Sequence, residues 1–338
     1  MVKDKDHAFK ELATKMEERS RRTLERFGQV SVSGVTNPQL LSMLADVKAY
    51  WKDNFRPALV SFSCEAVGGQ PEAADDVSLM ITLMGAGLGI HDDIIDKSEN
   101  KHFRMTILGL HGKDNALLLG ELLTVKALTT VREIAVKARH PTDIENIIEG
   151  FESFFIEVWE GEFMETLCRH NLETELKHYE RILWMSTADT EACTRLGAMV
   201  GGGSKIEVEA LAKVGRRLGF IFRLADEVKD SLNLEGNLPS RLENESVPLP
   251  ILYAAKSSKN NYLKIKSALK HPSITPTDVR ETLELCFKAD AFNYVLSIAK
   301  QNAREAVAEL RVLKKSEDKD SLALMVKKAL ANICSLCL

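Results

Sequence analysis

The sequence has few cysteines, few aromatic residues and no excess of basic charge. Its six cysteines among 338 residues are too sparse for a disulfide framework, so the expected compartment is a reducing cytoplasm. The 45 Lys and Arg residues are outnumbered by 49 Asp and Glu residues, which excludes the basic surplus of a general nucleic-acid binder. No uninterrupted apolar run reaches the roughly 18 residues that a membrane-spanning helix needs, so no transmembrane segment is predicted.

What the sequence does contain is a helical period of apolar residues. Residues 205–232 and 291–314 place apolar side chains three or four positions apart, which predicts amphipathic helices. Small polar residues beside prolines mark three helix starts, at residues 36–38, 141–143 and 276–278. No hairpin signal and no long Gly/Ser/Pro linker interrupts the pattern, so we expect one all-α domain over residues 1–338.

A first acidic motif closes the strongly apolar segment ITLMGAGLGIHDDIID at residues 81–96. On a helix, Asp92 and Asp96 face the same way because they are one turn apart, while Asp93 lies about 100° around the axis. Like charges at this spacing repel by roughly 0.2–0.5 kcal/mol. A hard divalent cation relieves that repulsion, and Mg²⁺ takes carboxylate oxygens together with substrate phosphates. The motif therefore indicates a candidate magnesium site.

A second acidic motif, formed by Asp226, Glu227 and Asp230, closes the apolar segment GFIFRLADEVKD. It again places two acids one helical turn apart. A triplet of this spacing that admits Glu is common by chance and carries little weight alone. Two such motifs that each end an apolar helix are a stronger signal, with two solvated helix ends as the alternative interpretation.

Further segments resemble, in order and spacing, the motifs of one enzyme family. Arg56-Pro57-Ala58-Leu59 resembles R-P-x-L, residues 161–165 (GEFME) resemble G-Q-x-x-D, and residues 196–202 (LGAMVGG) resemble L-G-A-x-x-G-G. Residues 222–227 (FRLADE) resemble F-Q-x-x-D-D, and Leu249-Pro250 ends the series. Over most of its length, the chain resembles the trans-prenyl diphosphate synthases of the isoprenoid synthase superfamily.

The resemblance implies a single bundle of α-helices of the isoprenoid synthase type around a deep central cavity, usually in a homodimer. It implies that the two acidic motifs face each other at the cavity mouth and hold about three Mg²⁺ ions, which bind the diphosphate of an allylic prenyl diphosphate. The metals stabilise the departing diphosphate as its C–O bond breaks, and the apolar walls keep water from the allylic cation. The expected activity is that of an isoprenoid-dependent prenyltransferase.

The resemblance also assigns roles to individual residues. The expected metal ligands are the outer acids of the two motifs, Asp92, Asp96, Asp226 and Asp230. Asp93 supports them, and Glu227, which replaces the family's second Asp, is open between ligand and support. All six acids are therefore catalytic candidates. The candidates for diphosphate binding are Arg56, Lys101, Arg104 and Arg223.

The pattern fails where the family binds the diphosphate of isopentenyl diphosphate, its usual second substrate. The family's Lys is Asp53 here, its His is Met84, and its R-R-G reads Lys101-His102-Phe103, so only Arg56 remains of that pocket. Lys52 replaces the lost Lys only if the loop shifts by one residue. A carboxylate where a diphosphate needs a cation is strongly unfavourable. We therefore expect the chain to retain ionisation of the allylic donor but not the ordinary use of isopentenyl diphosphate as the acceptor.

Four interpretations of function stay open on the sequence. The preferred one is a prenyltransferase that passes the prenyl chain to another acceptor, for example an apolar alcohol or an aromatic ring. The alternatives are a terpene synthase, a conventional polyprenyl diphosphate synthase with a rearranged pocket, and a non-catalytic partner that modulates a prenyl synthase. The second substrate is left unassigned.

Two further groups of residues carry weaker expectations. The family positions of Gly87 and Leu88 set the floor of the prenyl-chain pocket, and Gly85 joins them as a candidate. Tight helix packing explains these glycines equally well. Each glycine inside a helix lowers helix stability by about 1 kcal/mol relative to Ala, and a close approach of a neighbouring helix would account for that loss. Glu162 and Glu165 are candidate proton acceptors if burial raises their pKa.

Overall fold

The computed structural model describes residues 2–101, 103–137, 141–271 and 273–337. It is 81% helical, which confirms the predicted all-α class. Along the described residues, the first eight helices are α1 (Val2–Val30), α2 (Pro38–Tyr50), α3 (Phe55–Ala66), α4 (Asp75–Ile95), α5 (Ile107–Lys137), α6 (Pro141–Leu167), α7 (Leu176–Met185) and α8 (Ala188–Val200). The remaining seven are α9 (Lys205–Ser231), α10 (Leu238–Asn244), α11 (Leu249–Ser257), α12 (Lys259–Ala268), α13 (Pro276–Lys288), α14 (Ala291–Glu309) and α15 (Glu317–Cys337).

The helix starts follow the capping chemistry that the sequence predicts. The Asn37 side chain accepts hydrogen bonds from the backbone N–H groups of Gln39 and Leu40 at the start of α2. At α13, Thr275 and Asp278 form a reciprocal capping box just before and inside the first turn. Such caps typically contribute about 1 kcal/mol each, because they satisfy N–H groups that have no partner within the helix. The predicted amphipathic helices at 205–232 and 291–314 are confirmed as α9 and α14.

A two-stranded antiparallel ribbon follows α4 and was not predicted. Strand β1 (Asn100–Lys101) pairs with β2 (Arg104–Met105), so that Lys101 lies opposite Arg104. Phe103, in the turn, has a positive φ of 60°, a conformation that non-glycine residues rarely adopt. The turn lacks the Asn-Gly or Asp-Gly pair that marks most two-residue hairpins, so no local pattern predicts it.

The chain divides into two compact units. The first unit comprises Met1–Phe154, Asp189–Gly215 and Glu309–Met325; the second comprises Phe155–Ala188, Arg216–Ala308 and Val326–Leu338. The first acidic motif belongs to the first unit and the second acidic motif to the second. The expectation of one domain over the whole chain stays a prediction.

Helix α4 is largely buried within the first unit. It packs against α1, α3 and α5. Its residues 76–84 are buried without interruption, as expected for a helix that is apolar on all sides. Residues 71–95 are long and apolar enough to cross a membrane by length and composition alone, but 72% of the apolar window is buried inside the protein, as in a core helix. The acidic motif at its end is thus anchored to the core.

In the second unit, α11 contacts α7, α12 and α13. Its residues Leu249, Ile251 and Ala254 are fully buried, and so are Leu218 and Val228 of α9. The second acidic motif therefore also lies at the end of a helix whose apolar face is buried.

All six cysteines of the chain are free thiols.

Candidate active site

The first acidic motif gathers its carboxylates around a lysine. Asp92 and Asp93 lie in the last turn of α4, and Asp96 caps it. Strand β1 brings the Lys101 ammonium back to the motif, where its Nζ lies 2.9 Å from Asp92 Oδ2 and 2.9 Å from Asp93 Oδ1. Burial alone would lower the pKa of Lys101, but the two carboxylates outweigh it and hold that pKa well above its ordinary value. The motif is thus arranged to bind a positive charge.

Arg104 lies beside this lysine on the paired strand. Its guanidinium carbon is 4.1 Å from the centroid of the Tyr50 ring, a cation–π contact. Burial, with a contribution from Asp93, raises the pKa of Tyr50, so this ring stays neutral. The ribbon therefore presents two of the four expected diphosphate-binding side chains next to the first acidic motif.

Arg56, the third expected diphosphate-binding residue, is held between two carboxylates of the first unit. Its Nη1 donates to Asp53 Oδ2 at 2.7 Å, and its Nε donates to Asp189 Oδ2 at 2.8 Å. Burial opposes the charge of Arg56, but Asp189 and Asp53 together raise its pKa above the ordinary value. Asp189 was not singled out from the sequence, because 133 residues separate it from Arg56.

Gly87 of α4 serves close packing. A Cβ on Gly87 would lie 2.7 Å from Thr124 Oγ1 and 2.8 Å from the Gly120 carbonyl oxygen, so α5 approaches the helix directly at this point. A Cβ on Gly85 would lie 3.5 Å from the Trp51 ring, an ordinary van der Waals distance that does not require glycine. Leu88 is half-buried. The packing interpretation thus has direct support at Gly87, while the role of Gly85, Gly87 and Leu88 as a pocket floor stays a prediction.

The second acidic motif is organised around a buried arginine. Glu227 is fully buried, and its Oε1 accepts a hydrogen bond from Arg241 of α10. Arg241 also forms an ion pair with Asp230. The second oxygen of Glu227 accepts the backbone N–H of Leu249 at 2.6 Å. Burial raises the pKa of Glu227, while Arg241 acts in the opposite direction.

Asp226 differs from the other two acids of its motif. Its side chain is 50% exposed, and its Oδ1 lies 2.8 Å from Lys229 Nζ, one turn further along α9. Because neither Arg241 nor the backbone of α11 bonds to it, Asp226 is the acid of the second motif that is most accessible to a ligand.

Glu165 belongs to a polar network in the second unit. It accepts hydrogen bonds from Ser246 Oγ at 2.6 Å and from Arg223 Nη2 at 3.2 Å. Ser246 Oγ is also 2.8 Å from the hydroxyl of the buried Tyr179. Arg223, the fourth expected diphosphate-binding residue, is thus paired with Glu165, and Glu162 adds to the negative charge around it.

Sequence reasoning missed Arg241, Tyr179 and Ser246. One signal was present: Glu227 lies on the apolar side of α9, and a buried carboxylate requires a cation or several hydrogen bonds. The sequence does not say which of many basic residues supplies that cation. Arg241 could be identified only once the fold had placed α10 beside α9.

The carboxylates fit a magnesium ion in part. Among the described residues, no group of three His, Cys, Asp or Glu side chains converges closely enough to hold a metal. The donor type is nevertheless right, since Mg²⁺ prefers carboxylate oxygens and completes its shell with water and substrate phosphates. Asp92 and Asp93 already share one cation, the Lys101 ammonium. Each motif, taken by itself, therefore offers carboxylate oxygens of the right donor type: Asp92 and Asp93 in the first unit, and the half-exposed Asp226 in the second.

Comparisons with known proteins agree with the resemblance. The profile of the polyprenyl synthetase family matches residues 46–286. A short chain isoprenyl diphosphate synthase of Methanothermobacter thermautotrophicus is 26% identical over 301 residues, covering 87% of this chain and 91% of that protein. The octaprenyl diphosphate synthase of Haemophilus influenzae is 24% identical over 275 residues, covering 79% of this chain and 80% of that protein.

The fold agrees with a solved structure as well. The geranylgeranyl pyrophosphate synthetase of Pyrococcus horikoshii superposes with a TM-score of 0.82 over 96% of this chain and 99% of that one, at 24% identity. This confirms the isoprenoid synthase fold. The curated relatives are prenyl diphosphate synthases of several product lengths, and the family generally uses Mg²⁺. The chain belongs to the polyprenyl synthetase family, whose enzymes are prenyltransferases.

Proposed function

We propose that this protein ionises an allylic prenyl diphosphate with the help of Mg²⁺ and transfers the prenyl chain to an acceptor other than isopentenyl diphosphate. The observation that carries the donor half of this proposal is the convergence of Asp92 and Asp93 on one cation at the end of a buried helix. The observation behind the acceptor half is the pairing of Arg56, the last basic residue of the usual second pocket, with two carboxylates.

On the donor side, Asp92 and Asp96 bind metal with Asp93 in support, and Asp226 and Asp230 are the candidate ligands of the second motif. About three Mg²⁺ ions, when bound, neutralise the diphosphate as its C–O bond breaks. Lys101 and Arg104 bind the same diphosphate, since the ribbon presents both side chains together.

The bond breaks with its electron pair on the diphosphate oxygen and leaves an allylic cation. The acceptor's nucleophile then bonds to the allylic carbon and loses a proton. Glu165, hydrogen-bonded to Ser246 and Arg223, is the candidate proton acceptor, with Glu162 as the second. Glu227 acts as support for its motif rather than as a ligand, because Arg241 and the Leu249 N–H take up its two oxygens.

We also propose a homodimer in a reducing cytoplasm. Leu117, Leu118, Val125 and Leu128 on α5 are each about half exposed or more. They fall within roughly 100° of the helix circumference, so they form one apolar stripe. An apolar stripe of this kind is a contact surface for another chain, and a second copy supplies a matching one. The free thiols of all six cysteines suit a reducing compartment.

The test is a product analysis with allylic prenyl diphosphates of ten, fifteen and twenty carbons, with and without isopentenyl diphosphate. We expect Mg²⁺-dependent release of diphosphate without isopentenyl diphosphate, and no longer diphosphate when it is added. Asp92→Asn should abolish release, whereas the control Asp46→Asn, in an ion pair with His111, should not.

Each alternative predicts a different product. A longer prenyl diphosphate identifies conventional elongation, and a cyclised or dehydrated hydrocarbon identifies a terpene synthase. Absence of turnover with every donor, with recovery on adding an active prenyl synthase, identifies a regulatory partner and overturns the proposal.

A further inference from the structure

Arg56 is bound on two sides by carboxylates that come from distant parts of the first unit. Asp53 lies just before α3, and Asp189 lies in the first turn of α8. Asp189 Oδ2 lies 2.8 Å from Nε and 2.6 Å from Nη2 of the guanidinium, and Asp53 Oδ2 lies 2.7 Å from Nη1. Every nitrogen of the guanidinium is therefore engaged by a carboxylate. We call the cluster of Asp53, Arg56 and Asp189 the Arg56 clamp.

The backbone fixes both carboxylates of the Arg56 clamp. Asp53 Oδ1 accepts the backbone N–H of Phe55 at 2.8 Å and that of Arg56 at 3.3 Å. Asp189 Oδ1 accepts the backbone N–H of Thr190 at 2.7 Å. An incoming ligand would have to break these bonds as well as the ion pairs to release the guanidinium. The carboxylates are thus built-in partners of Arg56 and not mobile surface groups.

The charge of the Arg56 clamp opposes an anionic ligand. One guanidinium and two carboxylates give a net charge of −1 when all three are ionised, and the side chains of Asp53 and Asp189 are only 13% and 17% exposed. Low exposure strengthens the repulsion between these carboxylates and a diphosphate, because solvent screens it less. A cluster of this sign and rigidity rejects a diphosphate that an isolated Arg56 would attract.

An aromatic side chain, Trp51, lies next to the Arg56 clamp. Trp51 and Arg56 meet at α4, where a Cβ on Gly85 would lie 3.5 Å from the Trp51 ring and 3.6 Å from Arg56 Cδ. The buried Nε1 of Trp51 has no hydrogen-bond partner within the part of the chain that the structure describes. An indole ring with one N–H donor supplies no positive charge, so Trp51 does not offset the negative charge of the Arg56 clamp.

We propose that Asp53 and Asp189 are specificity-determining residues that exclude a second diphosphate, so that the acceptor carries no diphosphate group. This inference rests on the proposed function, because it concerns the second substrate of that prenyl transfer. It goes further in naming the residues that reject isopentenyl diphosphate and the chemical class of acceptor that remains.

The experiment measures binding of isopentenyl diphosphate to the full-length protein by calorimetry in the absence of Mg²⁺. The variants are Asp53→Asn, Asp189→Asn and the double variant. The matched control is Glu65→Gln, which removes a half-buried carboxylate paired with Arg19 in the same unit. Thermal unfolding of each variant identifies any that fails to fold, and Asp53→Asn, in which Asp189 still pairs with Arg56, remains informative if the double variant does fail.

We expect no binding of isopentenyl diphosphate to the wild type or the control, and at least tenfold tighter binding to Asp53→Asn, with the double variant tighter still. With donor and Mg²⁺ added, the folded variants should begin to form a longer diphosphate. Tight binding to the wild type, or unchanged binding in every folded variant, overturns the inference. Loss of donor ionisation in the wild type would overturn the proposed function instead, while the calorimetric series would still decide the role of the two aspartates.

Discussion

The two acidic motifs resemble each other in sequence, but their charges are balanced in different ways. In the first motif, Asp92 and Asp93 share Lys101, whose side chain is 30% exposed and sits on a two-residue strand. In the second motif, Glu227 and Asp230 share Arg241, whose side chain is 5% exposed and lies on a helix. We expect Lys101 to be more open to exchange with a ligand than Arg241, since Asp92 is 39% exposed, although Asp93 is only 5% exposed.

This difference has an energetic basis. Partly exposed ion pairs contribute at most about 1 kcal/mol, since water competes for both charges. Removing one partner of a buried pair costs roughly 3–5 kcal/mol, because the other charge is left without compensation. We therefore expect the acidic pattern at the end of α4 to remain available to a ligand, and the pattern at the end of α9 to contribute to structural stability through Glu227 and Arg241.

The largest expected effect is on stability, from Arg241→Met. We expect the free energy of unfolding to fall by about 3–5 kcal/mol, because Glu227 would stay buried without its cation. Urea unfolding measures the change. The control Lys229→Met, which removes the exposed cation beside Asp226, should cost less than about 1 kcal/mol. Equal losses in the two variants would remove the distinction between buried and exposed cations.

The next effect is on catalysis, from Asp226→Asn. We expect diphosphate release to slow on the order of 100-fold, the size of loss seen when one group that stabilises developing charge is removed. Stability should change by less than about 1 kcal/mol, since the pair with Lys229 is half exposed. Paired rate and urea measurements separate the two effects, with Asp46→Asn as the control. A large loss of stability with an unchanged rate would assign Asp226 to structure.

A smaller effect is expected on metal affinity, from Lys101→Met. Without the Lys101 ammonium, the two carboxylates of the first motif should bind Mg²⁺ about fivefold more tightly in the absence of donor from the loss of the partly exposed pair with Asp92, worth about 1 kcal/mol. Loss of the pair with Asp93, whose side chain is 5% exposed, adds to this gain. Calorimetric titration with Mg²⁺ alone measures this affinity. Lys113→Met, at an exposed position of α5, is the matched control. Weaker Mg²⁺ binding in Lys101→Met would contradict an exchangeable cation.

The smallest effect concerns Asp278, a carboxylate stabilised by local hydrogen bonds and not by either motif cation. Hydrogen bonds from Thr275 and His271 lower its pKa from 3.8 to about 2. A lowered pKa in the folded state stabilises the fold above the unfolded value, and that contribution is lost as the pH falls from 3.8 towards about 2. Asp278→Asn should therefore flatten the acid dependence of stability in this window, as measured by urea unfolding at stepped pH. An unchanged pH profile would show that the capping box does not depend on this charge.

Much of the fold and part of the candidate site can be predicted from local sequence patterns. The period of apolar residues predicts α9 and α14, and Asn37 predicts the start of α2, because these features depend on neighbours within one helical turn. Asp92 and Asp96 stand out for the same reason. The pairings of Arg56 with Asp189 and of Glu227 with Arg241 could not be predicted, because they join residues that only the folded chain brings together.

The β1–β2 ribbon could not be predicted either, although its residues are close together in the sequence. Its turn uses a positive φ at Phe103 in place of glycine, so no local signal marks it, yet it sets the position of Lys101 beside Asp92. A short element with an unusual turn residue can thus decide the charge balance of a site.

The direct approach of α5 to α4 at Gly87 restricts how this enzyme could evolve. Any side chain at position 87 would collide with the backbone of Gly120, so natural variation there is blocked by the packing of the two helices.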